Sequence, residues 1–171
     1  FLSLGVIPLG IKLFFENKKN TVLMFEPNPY HGETFAGYIN YLTELNWNVH
    51  FVAQDKLKKE NPFTRLQEKI ENKSLKVFYA KYSESFVKKF FKLPFLKDYK
   101  KIFITTNLGY FKNRPLIVSK AIPLKLRQKA IIIEHDAKNF SKADEKELIK
   151  NGQIATLIKR KFKDYSTKMI N

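Results

Sequence analysis

Five short apolar runs recur along the chain. Longer stretches separate them, and in those the apolar residues return every three or four positions. The first run is Val22, Leu23, Met24 and Phe25, closed by a Pro-Asn-Pro turn at 27–29. The others lie at 49–53, at 75–80 (LKVFYA), at 101–106 (KIFITT) and at 129–134 (KAIIIE). Runs this short and this continuous predict strands buried on both faces rather than half-exposed ones. Between the first two, Phe35, Tyr38, Ile39, Leu42 and Leu45 follow helical spacing, and the helix stops near Asn46. Pro62 can open a second helix through Phe63, Leu66 and Ile70. Ser83 can cap a third, running through Phe86, Val87, Phe90 and Phe91. After the fourth run comes a loop or short helix broken by Pro115 and Pro123. From 141 onward the pattern predicts helices around 145–149 and 154–162.

The opening residues, 1–15, are mostly apolar but contain Gly5, Pro8, Gly10 and Lys12. They fall short of the ~20 residues of a membrane span and lack the marks of a signal peptide. The favoured expectation is a helix covering the sheet; the alternative, if residues precede Phe1, is the end of a longer hydrophobic segment followed by Lys18 and Lys19. The chain begins with Phe1, so it reads as a fragment or a processed form.

Strands alternating with helices predict βαβ crossovers. The fold class is therefore α/β, a Rossmann-like parallel sheet of about five strands with helices on both faces. The expected organisation is an apolar segment at 1–20, the α/β domain at 21–140 and a basic helical tail at 141–171. In such folds ligands bind beyond the carboxyl ends of the strands. That points to the loops at 27–33, 106–110 and 134–140.

Composition adds limits rather than an activity. With 171 residues and no cysteine, disulfides and thiolate chemistry are excluded. A net charge of +16 and a pI near 9.9 favour anionic partners, or reflect a lysine- and asparagine-rich source. The GxGxxG fingerprint, the GxxxxGK[ST] phosphate loop and the GxSxG elbow are all missing.

Three places can carry chemistry. Asn28, His31, Gly32 and Glu33 lie where the first strand turns into its helix. Gly32 allows close backbone approach, and free N–H groups at a helix start favour an anion or sugar hydroxyls. His31 can act as a base or simply cap the helix. At the end of the fifth strand, Glu134, His135 and Asp136 can bind a metal, orient a hydroxyl, or be a solvated strand end. They cannot all converge if the strand continues, because neighbours in a strand point to opposite faces. The third place is the block 86–101, where Lys88, Lys89 and Lys92 interleave with Phe90 and Phe91. It can lie on an anionic membrane, hold single-stranded nucleic acid, or cover the sheet with its phenylalanines while its lysines face water. Lys159, Arg160, Lys161 and Lys163 form a second basic run.

The stretch FEPNPYHGETFAGYINYLTELNWNVHFV resembles the opening of bacterial glycosyltransferases and glycosyltransferase-like proteins of the two-domain, GT-B type. The resemblance lies in an H-G-E loop after the first strand, a GYxxYLxxL helix and a following strand. The matching residues are His31, Gly32, Glu33, Gly37, Tyr38, Tyr41, Leu42, Leu45 and Val49. Asn46 stands where the family usually has glycine, and Asn tolerates the left-handed conformation required there. The Glu134, His135, Asp136 triplet is similar to a loop that faces the cleft in that family.

The resemblance implies the acceptor-side half of an enzyme of polysaccharide biosynthesis. Such an enzyme moves a sugar from a nucleotide-sugar to a glycan or lipid-linked acceptor. No metal or cofactor is expected beyond the donor substrate. His31 becomes the candidate base, with Asn28, Gly32, Glu33, His135 and Asp136 around the acceptor. The implied location is cytoplasmic, at the inner face of the membrane, with Lys88, Lys89, Lys92, Phe90 and Phe91 as the membrane surface. The domain that holds the donor in that family is not in this chain. It lies in a longer protein, in a separate chain, or the protein is not catalytic. The competing reading is a non-enzymatic basic module that binds anionic membrane or, less favoured, nucleic acid.

Overall fold

The structure is a computed structural model. It describes residues 5–26, 35–55, 63, 66–105, 108–111, 114–134 and 156–159. The five anticipated strands are present: β1 (Thr21–Phe25), β2 (Asn48–Gln54), β3 (Leu75–Ala80), β4 (Ile102–Ile104) and, after a hairpin, β7 (Ala130–Glu134). A sixth, β8 (Thr156–Lys159), extends the sheet, whose order is β3-β2-β1-β4-β7-β8. Every pairing in it is parallel. This is the open α/β sheet that the alternation predicts, with the chain reversing direction across the sheet between β1 and β4.

Alternation along each strand divides the core in two. Leu23, Phe25, Val52, Ile102, Ile104 and Ile132 face one layer. There they meet Val6, Leu9 and Leu13 of α1 (Val6–Phe14) and Phe86, Val87 and Phe90 of α4 (Glu84–Phe90). Val22, Met24, Val49, Phe51 and Phe103 face the other layer. There they meet Ile39 of α2 (Ala36–Glu44), Phe63 and Leu66, with Ile70 of α3 (Gln67–Glu71) packed alongside. A short α5 (Leu124–Arg127) adds Leu126 to the α1 side.

Local signals set the helix ends. The Ser83 hydroxyl accepts from the Phe86 N–H at 3.1 Å, closing the first turn of α4. Asn46 adopts φ 59°, while its N–H donates to Thr43 O and the Trp47 N–H to Leu42 O, both at 3.0 Å. Those two bonds are a Schellman cap with Asn in the left-handed position that glycine usually fills. The opening apolar segment supplies α1, whose Gly10 lies against Leu93.

Three expectations are corrected. Residues 156–159 form β8 rather than part of a helix over 154–162. A four-residue run of Thr, Leu, Ile and Lys is too short for its period to separate the two states, and a free sheet edge beside β7 decides it. After β4 the chain forms an antiparallel hairpin, β5 (Leu108–Phe111) and β6 (Arg114–Ile117), before a 3-10 turn at Val118–Ala121. Pro115 fits there because a two-stranded ribbon leaves positions with no N–H to supply.

The third correction concerns the basic block. Phe90 and Phe91 are buried to within 1%. Their rings pack on Phe25 at 5.1 and 4.8 Å, so neither is available to a membrane. Lys88 and Lys92 point outward, Lys88 pairing with Glu84 at 2.5 Å. The block is the sheet cover, with Lys88 and Lys92 facing water and Lys89 half-buried.

Candidate functional site at the carboxyl edge of the sheet

The carboxyl ends of β1, β2 and β4 are tied together by a small set of polar contacts. Glu26 follows β1 directly and is fully buried, as is Thr105 just beyond β4. The Thr105 hydroxyl donates to Glu26 Oε2 at 2.5 Å and lies 3.2 Å from the carbonyl of Phe25. The Thr105 N–H also donates to that carbonyl, at 3.2 Å. The Glu26 N–H donates to Val52 O at 3.0 Å, and the Tyr82 hydroxyl donates to the same oxygen at 2.8 Å. Tyr82 stacks on Phe25 at 5.1 Å and on Phe86 at 4.8 Å. Burial, and after it the nearby Glu26 charge, push the Tyr82 phenol well above its usual value, so it remains a neutral donor.

Sequence dictates this arrangement locally. A run of four apolar residues commits β1 to the interior, and the charged residue that follows is carried in at its end. A buried carboxylate is costly unless it is hydrogen-bonded, and Thr105 supplies one such bond. The result is an acceptor-rich floor at the point where the sheet reverses direction, the position at which open α/β sheets take their ligands. Being buried, Glu26 acts as a positioning residue for the strand ends. A substrate hydroxyl would reach it only through groups above it.

Asn28, His31, Gly32, Glu33, His135 and Asp136 all lie outside the described residues. The strands that lead to them are described. β1 and β7 flank β4 and run parallel, so both chains leave the sheet at the same edge, two strand spacings or about 10 Å apart. Glu134 closes β7 in register with Lys159 of β8. The hairpin β5–β6 also departs from this edge, beginning at Leu108, close after Thr105. Among the described residues no group of His, Asp and Glu is arranged to hold a metal.

Glu26 and Thr105 escaped sequence reasoning, although a signal for the first was visible. An acidic residue directly after an unbroken apolar strand, ahead of a loop already suspected, is a buried-charge candidate. Its partner is 79 residues away, and no local pattern points to it.

A second buried polar cluster lies toward the amino-terminal half of the sheet. His50, on β2, is 3% exposed, and its Nδ1 shares a hydrogen bond of 2.8 Å with the Tyr99 hydroxyl. Phe78 and Tyr99 meet the imidazole edge-on at 5.4 and 5.5 Å. Close by, Lys76 pairs with Glu16 at 2.5 Å. Burial lowers the His50 pKa to about 4, Glu16 opposing and Lys76 and Lys18 assisting. The imidazole is therefore neutral at physiological pH. Burial, and then Glu16, also push the Tyr99 phenol upward. This cluster is closed under α1 and is a packing element. Compared with models of protein families, with characterised proteins and with solved structures, the chain matches none.

Proposed function

We propose that this chain is the acceptor-side half of a glycosyl-transfer machine, working with a separate donor-binding domain or chain. The observation that carries the reading is the position of the Glu26–Thr105 pair. It closes the reversal point of an open parallel sheet, and Glu26 immediately precedes residues 27–33 in the sequence. The H-G-E resemblance lies in those residues. In this reading His31 removes the proton of the acceptor hydroxyl. Asn28, Glu33, His135 and Asp136 hold the acceptor from the two loops that leave β1 and β7. Glu26 and Thr105 fix the ends of β1 and β4 so that those loops start from a rigid base.

The test is an assay of sugar transfer with a panel of nucleotide-sugars and glycan or lipid-linked acceptors. The chain is supplied alone and together with a candidate donor-binding partner. Transfer only with the partner, lost on His31→Ala, is the expected result. No transfer with any partner and donor, combined with no binding of any acceptor, contradicts the reading.

A further inference from the structure

Among the described residues, seven large apolar side chains stand exposed. Tyr41, Leu45 and Leu124 are spread over α2, its carboxyl end and α5. The other four form one stripe on α1 and its end: Ile7 at 44% exposure, Ile11 at 54%, Phe14 at 59% and Phe15 at 80%. The spacing of four and three residues puts Ile7, Ile11 and Phe14 on one face of the helix. An adjoining face, with Val6, Leu9 and Leu13, is fully committed to the core. Thus α1 is apolar on both faces, and only one of them is covered. Isolated exposed apolar residues need no explanation, but a contiguous stripe on one helix does.

The surroundings of the stripe select its partner. Lys12 and Lys19 are exposed on α1 and just beyond it. Phe14 touches Phe95 at 6.0 Å, on the 3-10 turn at Pro94–Asp98 that carries exposed Lys97. Gly10 lies against Leu93, next to exposed Lys92. The carboxylates in this neighbourhood are Glu16, engaged by Lys76, and Asp98. A second copy of the chain would bring lysine rims together, each on a molecule of net charge +16. An anionic surface has the complementary charge. A short helix with its outer face apolar and its borders basic fits the boundary between headgroups and acyl chains.

We propose that the outer face of α1 is a docking surface for anionic lipid, with Phe14 and Phe15 entering the interface and the lysines contacting headgroups. The inference does not depend on the glycosyl-transfer reading. It replaces the buried Phe90 and Phe91 by residues that are free to insert. Gly5, at the start of α1, lies near the carbonyl of Lys81, just beyond the carboxyl end of β3. Phe14 and Phe15 are at the other end of α1, close before Thr21 at the start of β1, so a bilayer there lies toward the amino-terminal edge of the sheet, away from Glu26.

Co-sedimentation of the 171-residue chain with vesicles tests this. One set is pure phosphatidylcholine, and the other contains about one third phosphatidylglycerol. Retention on the anionic set only is expected. Phe14→Ser with Phe15→Ser should lower partitioning about thirtyfold, given the apolar area these rings would bury. Lys12→Gln should lower it about fivefold, whereas Lys69→Gln on α3 should leave it within about twofold. Lys12, Phe14 and Phe15 are exposed and Lys69 is half-buried, and a thermal melt of each variant confirms that the fold is retained. The inference is overturned if the anionic vesicles retain no protein. It is overturned if the Phe pair can be replaced without loss, which would assign the binding to charge alone. A doubled mass by light scattering that the Phe pair abolishes would also overturn it, by showing that a second copy covers the stripe.

Discussion

The two buried polar clusters use similar groups and sit about one strand length apart, yet they do different things. His50 with Tyr99 lies under α1, walled by Phe78 and bordered by a lysine–carboxylate pair. Glu26 with Thr105 lies at the carboxyl edge, from which every strand of the parallel sheet leaves. Burial alone does not mark a site. The first cluster resolves its polarity by leaving the imidazole neutral. The second retains an acidic group at the place where an open α/β sheet presents its ligands.

The account can be broken first at the core that supports both clusters. Phe90 stacks on Phe25 and Phe86, so Phe90→Ala should cost about 3–5 kcal/mol in denaturant unfolding. A loss below about 1 kcal/mol would return this ring to the surface.

Acid separates the clusters next. The folded His50 pKa, about 4, lies below its ordinary value of 6.5. Between those values the unfolded chain binds a proton that the folded chain does not. The stabilisation is therefore complete above pH 6.5 and declines as the pH falls toward 4. Its full size is on the order of 3 kcal/mol. His50→Gln should flatten the stability profile in that window. An unchanged slope would move the titration to another group.

Removing single hydroxyls sharpens the contrast. Tyr99→Phe and Thr105→Val each delete one buried hydrogen bond and should each cost about 1–2 kcal/mol. Only Thr105→Val should also weaken acceptor binding, because only it frees the ends of β1 and β4. Equal binding by both variants would remove the distinction between the clusters.

The smallest effects belong to the caps. Ser83→Ala should cost about 1 kcal/mol, and so should Asn46→Ala, which places a β-carbon at φ 59° without the local bonding Asn offers. Asn46→Gly should be neutral or slightly stabilising. Thermal melts of the three variants decide between these outcomes.

The architecture was legible wherever a local period carries it. Continuous apolar runs marked β1, β2, β3, β4 and β7, and the Phe86, Val87, Phe90 spacing marked the buried face of α4. Ser83 and Asn46 could be read as caps because capping is decided within a turn. The misses share one cause, which is dependence on distant residues. β8 is a strand because β7 lies beside it, and the hairpin exists because its own two halves pair. His50 finds Tyr99 across 49 residues, and Glu26 finds Thr105 across 79. The exposed stripe on α1 was hidden for a different reason. An apolar helix does not disclose which of its two apolar faces the sheet will take.

The most direct test of the central claim is a backbone-amide NMR titration of the labelled chain with glycan and lipid-linked glycan acceptors. The account predicts shifts at Glu26 and Thr105, at the ends of β1 and β4, while His50 and Tyr99 stay in place. Shifts centred on His50 and Tyr99, or none at the carboxyl edge with any acceptor, would contradict it.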